Sequence, residues 1–539
     1  MDRRHFLSSS AAGTLAVASL PSTSTAQTRP EDVLIVANEF GPNSLDIQTI
    51  GANHPSDGVS WLVYDRLMTY GTKTLPDGRV TYDRNKLEPE LAKSWAIAPY
   101  GESVTFKLHQ NAKFHDGTPV IAKDVNWRFD RAVSVGGFAT SQMGAGSLAR
   151  CEQFKVVDDH TFRIKFLRKD KLTMNNIAVP VPVPCVFNSN LVKKNVTAAD
   201  PWGLAWARNN TAGSGTYKVE AFRPSQPLAY LRNDDCKSGL MPKLRRIVQR
   251  EVPSAGNRRA LLVKGNIDMT CDMLPKDFAE LATDGGGVKV ASMPIENALF
   301  YVGMNVNKTP FDNPKIRQAV AYVLPYDKFM DNALYGRGTK LFGCSGPVKT
   351  IAWPQPTAYK TDLTKAKAKA LMAEAGVASG FETTLSIDLG GATVGEPAAI
   401  LIQEALSTIG IKAQINKIPG ATWRAALLKK DMPMIVNRFG GWLDFPEYFF
   451  YWCYHGQNAV FNTMGYQNAK LDRVITNARF AESKPIYDSM MREMIQIAYD
   501  EVPRIPVAQP SQDVAMGKDV MGYIYWFHLQ PDYRNLSKA

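Results

Sequence analysis

Phe439 to Tyr454 reads FGGWLDFPEYFFYWCY, and nine of these sixteen residues are aromatic, against 10% in the whole chain. Two carboxylates, Asp444 and Glu447, stand inside this apolar run. Gly440-Gly441 permits tight backbone geometry or the close approach of a ligand. Aromatic surface with a few placed polar groups is how small-molecule sites are built. A carboxylate buried there requires a cation or several donors, and a ligand ammonium would supply the cation. The same residues also fit a core cluster, with Asp444 capping a turn or paired with an arginine such as Arg438. The residues alone leave both readings open.

Covalent chemistry finds little support. The chain has no HExxH, no GxSxG and no EF-hand loop. Gly303 to Thr309, GMNVNKT, approaches a phosphate loop but carries Asn307 where the second glycine is required. The histidines are His5, His54, His109, His115, His160, His455 and His528, and none sits at metal-ligand spacing from another. His455 stands in the aromatic segment. A lone histidine there is more often packed or hydrogen-bonded than a ligand. Capture of a metal chelate, with His455 and a carboxylate-bearing metallophore, is the alternative to binding a purely organic ligand. A secreted hydrolase is a third reading, and it lacks a visible nucleophile-base motif.

The N-terminus bounds the compartment. Arg3-Arg4, Phe6-Leu7, the apolar run Ala11 to Leu20 and Ser24-Thr25-Ala26 have the pattern of a twin-arginine export signal. Cleavage is expected after Ala26, so the signal is 1–26, and the mature protein is expected in the periplasm. The run is too short to span a bilayer, and no other segment is long and apolar enough. A length of 539 residues predicts two or more domains. The net charge of +12 arises from scattered residues and not from a basic run, so nucleic acid is not an expected partner. Cys151, Cys185, Cys236, Cys271, Cys344 and Cys453 are widely spaced with no CxxC pair, which argues against a zinc or thioredoxin motif. An oxidising compartment permits local disulfide staples among them.

The elements that must position any site are readable in part. Val33 to Ala37, VLIVA, is a short strand, broken at Gly41-Pro42-Asn43-Ser44, with a helix around Val59 to Leu67. Val104 to His109 and Thr161 to Phe166 alternate as half-buried strands do, and Pro76-Asp77-Gly78 marks a turn. Asn313-Pro314 opens a helix carrying Ile316, Ala319, Val320 and Val323, which Pro325 ends. Helices are also predicted at Thr364 to Ala375 and Pro397 to Ile409, stopped by Gly376 and Gly410. Ile411 to Ile418 alternates as a strand, and Val179 to Pro184 is an extended connector. Helices alternating with strands predict an α/β class with βαβ crossovers after a more β-rich first part.

Several segments together resemble the extracellular solute-binding proteins of bacterial ABC importers, family 5, the peptide and nickel binding group. Ser44-Leu45-Asp46 with Val63-Tyr64-Asp65-Arg66-Leu67 is similar to its SLDP … YDxL. Leu87 to Trp95 looks like its PxLAxSW. Phe106 to Val125 contains KFHDGTPVIAKDV, similar to its FHDGxPxTAxDV signature. Gly213 to Tyr217 resembles GTGPY. Pro310-Phe311-Asp312 with Ile316 to Val320 resembles PFDDxRVRQAV, Lys365 to Gly376 its KAKxLLAEAG helix, and Ile409 to Ile411 its IGI. Gly441-Trp442 with Asp444 resembles GWxxDYxDP, although GWLDFPEY is shorter and lacks the DP. The motifs run in family order over nearly the whole mature chain. Asp116-Gly117 itself is a turn joining a strand to a helix near Ala122, so His115 is given no catalytic role.

The resemblance implies a type II-like periplasmic-binding-protein fold, with two hinged α/β lobes and an extra β-rich domain on lobe one. It places lobe I at 27–62, 205–292 and 502–539, the extra domain at 63–204 and lobe II at 293–501. It implies a monomer that binds a small molecule or short peptide by lobe closure and meets the membrane subunits of an importer. No cofactor, no resident metal and no catalysis are implied. Asp444 matches the residue that holds a peptide ammonium in relatives, and Trp442 matches the neighbouring family tryptophan. Phe40 to Asn43 corresponds to a stretch that contacts ligand backbone. The expected binding residues are thus Phe40, Asn43, Arg438, Phe439, Trp442 and Asp444.

Overall fold

The computed structural model describes residues 31–539 except 50, 179–184, 224–225, 237–238, 285, 296–297, 341–363, 442, 444 and 459–460. The export signal, the connector at 179–184, Cys344, Trp442 and Asp444 therefore lie outside the described residues.

The opening VLIVAN run is strand β1 (Val33–Asn38). Strands β2 (Met68–Thr74) and β3 (Val80–Pro89) pair across the turn at Pro76-Asp77-Gly78, where Asp77 Oδ1 accepts from Arg79 N. Strands β4 (Ala92–Ile97), β5 (Ser103–Leu108), β6 (Phe154–Asp158) and β7 (Thr161–Lys165) form a separate antiparallel sheet in the order β4-β5-β7-β6. Alternation in β5 and β7 turns Val104, Phe106, Phe162 and Ile164 inward. Phe129, on the helix Ala122–Ser134, meets Phe162 and Phe154 there at ring distances of 5.4 and 5.1 Å.

Eleven further strands join β1 in one twelve-stranded sheet. They are β8 (Tyr217–Ala221), β9 (Leu228–Arg232), β10 (Arg246–Glu251), β11 (Met269–Thr270), β12 (Val288–Pro294), β13 (Ala298–Met304), β14 (Gly338–Lys340), β15 (Phe381–Asp388), β16 (Ile411–Ile418), β17 (Met434–Gly440) and β18 (Arg504–Gly517). The path runs β16-β15-β17-β13-β18-β11-β1-β10-β9-β8. β1 is parallel to β10 and β11, and β15 is parallel to β16 and β17. Parallel neighbours require crossovers, and the helices Ala255–Val263, Ala392–Ser407 and Gly420–Lys429 supply them.

One strand holds the two halves together. Residues 504–508 of β18 pair with β13, whereas residues 511–517 pair with β12 and, at Ala515 and Met516, with β11. Pro506 and Pro510 stand on either side of this change of partner. A proline has no N–H for a ladder and is tolerated at irregularities, and the register with β13 shifts beside Pro506. The short passage from β12 to β13 is the second connection at the same place.

The structure moves two helix boundaries. The first helix is His54–Val63, not Val59 to Leu67, because Asn53 caps it by accepting from Ser56 N and Pro55 fits its first turn. Tyr64 is already extended. The helix Ala392–Ser407 begins before Pro397 and carries that proline inside. Cys151, Cys271 and Cys453 are free thiols, so these three form none of the staples that the compartment would permit.

The motif at Ser44-Leu45-Asp46 has a structural explanation. Asp46 is fully buried, 2.6 Å from Arg131 Nη2 and 3.6 Å from Arg128 Nη2. Arg131 also donates to Gln48 Oε1 and Trp202 O, and Arg128 to Cys185 O. Burial by itself would raise the Asp46 pKa, but the two guanidiniums outweigh it and hold the carboxyl below its usual range. A carboxylate depressed by folding stabilises the fold above its unfolded pKa, and that stability is lost as pH falls through the lower folded value. Asp46→Ala is therefore expected to cost about 3–5 kcal/mol at neutral pH, with the deficit shrinking in strong acid, read by urea unfolding across pH.

Candidate functional site

In α/β sheets, ligands collect outside the carboxyl ends of parallel strands, where the connections diverge. Both halves of this sheet present such ends beside the junction on β18. Glu39 follows β1, Asp272 follows β11, Asp388 ends β15 and Arg438 lies near the end of β17. Glu39 N donates to Asp272 Oδ2 at 2.9 Å. Burial raises the Glu39 pKa; Arg258 opposes this, while Asp272 and Asp388 add to it. Asp388, at an end of the second half, thus lies within electrostatic reach of Glu39, at an end of the first.

The basic side of the crevice comes from other elements. Arg438 is exposed to solvent, yet surrounding protein lowers its pKa by desolvation, with Tyr525 and Asp513 opposing. His54 is exposed as well, and its Nε2 lies 3.2 Å from His528 O and its Nδ1 2.5 Å from Gln530 Nε2. Burial lowers its pKa first, and Arg438 and Arg424 lower it further. Asp57, only 3% exposed, is pushed well above the carboxylate range by burial, with Arg424 opposing. These shifts make His54 and Asp57 favour their neutral forms.

The residues expected from the sequence divide between the crevice and the core. Phe40, 48% exposed, adjoins Glu39. Asn43 serves its own loop: Oδ1 accepts from Asn53 N at 2.9 Å and Nδ2 donates to Gly51 O at 3.0 Å. Arg438 lines the crevice. Phe439, 7% exposed, packs edge-on against Phe449 and Phe461 at 5.0 and 5.3 Å. Trp442 and Asp444 lie outside the described residues.

The rest of the aromatic segment is the helix Pro446–Tyr454, and it faces a different neighbour. Trp452 meets Phe138 at 5.6 Å, and Tyr448 Oη donates to Gln142 Oε1 at 2.7 Å; both partners lie on the helix Gly137–Ala145. Glu447 is fully buried, its Oε2 accepts from Tyr487 Oη at 2.6 Å, and burial raises its pKa. His455 is 4.0 Å from Asp472, accepts from Gln457 N at 3.2 Å and reaches Thr476 Oγ1 at 3.5 Å. No group of three or more His, Cys, Asp or Glu residues among the described ones is arranged to hold a metal. His115 is likewise tied down: its Nε2 lies 3.0 Å from Gly215 O, which joins the FHDG turn to the GSGTY segment, and burial takes its pKa down to about 4.

Glu39, His54, Asp272, Asp388 and Arg424 are the crevice residues that sequence reasoning missed. The signal available for three of them was position, since Glu39, Asp272 and Asp388 sit at or just past the ends of β-strands.

Two α/β halves joined through one shared strand, with charged side chains of both facing the junction, define a two-lobed binding protein. The chain belongs to the bacterial extracellular solute-binding proteins, family 5, whose profile matches residues 86–461. It is 26% identical over 505 residues to the probable D,D-dipeptide-binding periplasmic protein DdpA of Escherichia coli (strain K12), covering 92% of each chain. Its fold matches the Helicobacter pylori periplasmic binding protein DppA in complex with the peptide STSA, with a TM-score of 0.79 at 20% identity over 94% and 98% of the two chains. The dipeptide-binding protein of Pseudoalteromonas sp. SM9913 in complex with Met-Leu gives 0.79 at 21% identity, over 94% and 100%. The fold is of the type II-like periplasmic-binding-protein kind.

The contacts of the aromatic helix continue at Arg479, which pairs with the buried Asp170 at 2.5 Å and donates to Ala145 O at 2.7 Å. Arg479→Leu strands the Asp170 carboxylate. It is expected to lower the unfolding free energy by about 3–5 kcal/mol in a denaturant titration.

Proposed function

We propose that this protein is the periplasmic receptor of an ABC importer and captures a short peptide or a peptide-like cationic or zwitterionic small molecule. The twin-arginine segment exports it. It works as a monomer without nucleic acid and releases its ligand unaltered to the importer's membrane subunits. The observation that carries this reading is the crevice beside β18. It gathers Glu39, Asp272 and Asp388 at strand ends and the exposed Arg438 near another, with no nucleophile-base pair among the described residues. The names of the relatives, a D,D-dipeptide binder and receptors solved with STSA and Met-Leu, support a peptide ligand.

The division into lobes follows the same reading: lobe I at 27–62, 205–292 and 502–539, the extra domain at 63–204, and lobe II at 293–501. The β12–β13 passage and the partner change at Pro506 to Pro510 are then the hinge. Few residues there would have to alter their backbone angles for one lobe to swing. Closure would expel water and strengthen each charge pair to the ligand. Phe40 and Trp442 would give apolar contact, and Asp444 would receive the ammonium together with the Glu39 side of the crevice.

Native mass spectrometry of the protein purified from its expression host is expected to retain a peptide-like ligand. Calorimetry with L-alanyl-L-alanine, D-alanyl-D-alanine and glutathione is expected to show binding without product formation. Turnover of any of them, or a complete absence of peptide-like ligand in both experiments, overturns the assignment. Asp444→Asn is expected to weaken an ammonium ligand by about 2–5 kcal/mol with the melting temperature unchanged. Unaltered affinity removes the role given to Asp444.

A further inference from the structure

The separate sheet β4-β5-β7-β6 has one buried face and one bare face. Val104, Phe106, Phe162 and Ile164 are buried on the side of the helix Ala122–Ser134, and strand alternation turns the residues between them to the other side. That bare face carries Ser94 and Ala96 from β4, Thr105 and Lys107 from β5, Arg163 and Lys165 from β7, and Lys155 from β6. Two contacts fix the side: Arg163 Nε donates to Thr105 Oγ1 at 3.1 Å, and Lys107 Nζ to Thr161 Oγ1 at 2.8 Å.

The four cations are far from a run in the sequence, and the sheet brings them together. All four are exposed, and none makes an ion pair among the described residues. Lys155 and Arg163 are direct cross-strand partners. Like charges placed so repel, and a sheet shaped only for stability would set an acid opposite a base. One carboxylate shares the face: Asp158, which pairs in register with Thr161 at the Lys107 end. Lys155, Arg163 and Lys165 have no such neighbour among the described residues.

The other end of the face, where Lys165 pairs with Ser103, is bordered by apolar side chains. The β4–β5 turn closes with Gly101 N donating to Ala98 O at 2.8 Å, and Tyr100 at its tip is 93% exposed. Ile97 enters the turn at 52% exposure. Phe166 N donates to Glu102 O at 2.8 Å, which brings Leu167, also 52% exposed, beside the turn. Cations alone would suit any polyanion. A tyrosine at a turn tip with two aliphatic neighbours suits the headgroup layer of a bilayer, where its ring buries and its hydroxyl stays wet.

We infer that this face docks the protein on an anionic lipid surface, with Lys155, Arg163 and Lys165 against lipid phosphates and the Tyr100 turn entering the headgroup layer. The inference is independent of what the crevice binds. Attraction of this kind is weakened about fivefold by each cation removed, and it is screened by salt.

The test is co-sedimentation of the full mature chain with vesicles of phosphatidylcholine alone and of equal parts phosphatidylcholine and phosphatidylglycerol. Wild type is expected to sediment with the second and not the first at about 0.05 M salt, and to be released at about 1 M. The triple variant Lys155→Gln, Arg163→Gln, Lys165→Gln is expected to bind about 100-fold more weakly, with a melting temperature no lower than wild type. Tyr100→Ser is expected to weaken binding several-fold. Lys264→Gln, Lys369→Gln, Lys429→Gln removes the same charge from exposed positions elsewhere and is expected to bind nearly as wild type does. Four results overturn the inference: no sedimentation with either vesicle, equal sedimentation with both, equal losses in the two triple variants, or binding to soluble poly-L-glutamate without uptake by vesicles. The last result would assign the face to an acidic protein.

Discussion

The sharing of β18 between the two halves of one sheet is the constraint on which the rest of the molecule depends. A strand has two edges, and along most sheets each edge keeps one neighbour. Here the first five residues serve β13 and the last seven serve β12, with prolines at Pro506 and Pro510 where the ladder changes hands. The consequence is geometric. Each half keeps its own parallel strands and its own crossover helices, and the ends of both parallel sets come out beside the junction. Phe300, Val302 and Val507 pack in one core, while Leu34, Val36 and Ile247 pack in a larger one that also takes in Tyr301 and Ile435 from across the junction. A crevice arises at the junction because the chain connections leave in different directions there, not because any one loop builds it.

The electrostatics follow from that geometry. Side chains at these strand ends lose water to the protein packed around them. Glu39 and Arg438 are accordingly shifted by desolvation first and by charges second. A fold built only for stability would pair these groups, as it pairs Asp46 with Arg131 and Asp170 with Arg479 deep in the same chain. The contrast separates structural charges from charges kept for a guest. The buried pairs are short and fully neutralised, and the crevice charges are wet and open.

Much of the fold was legible from pattern. Strands β5, β7 and β16 show the two-residue alternation that a half-buried surface imposes, and Asn313-Pro314 caps the helix Pro314–Val323 as expected. The helix His54–Val63 was misplaced because its N-terminal half carries small and polar residues that are buried against other elements, so hydrophobic spacing started too late. The aromatic segment was ambiguous for a related reason. Composition gives apolar area but not which surface it covers, and the helix Pro446–Tyr454 spends that area on Phe138 and Gln142. Of the expected site residues, Arg438 is exposed near the end of β17, Phe439 is core and Asn43 holds its own loop.

By itself the sequence determined the α/β class, the order of family motifs and the absence of hydrolytic signatures. All of these are local, being written in neighbouring residues or in short periods. Only the tertiary structure decided which charged side chains face one another. Glu39, Asp272 and Asp388 are more than a hundred residues apart in the chain, as are His54 and Arg438, and no local pattern marks them as partners. Their meeting is set by strand order across β18, which depends on long-range pairing, and by desolvation, which depends on everything packed around each group.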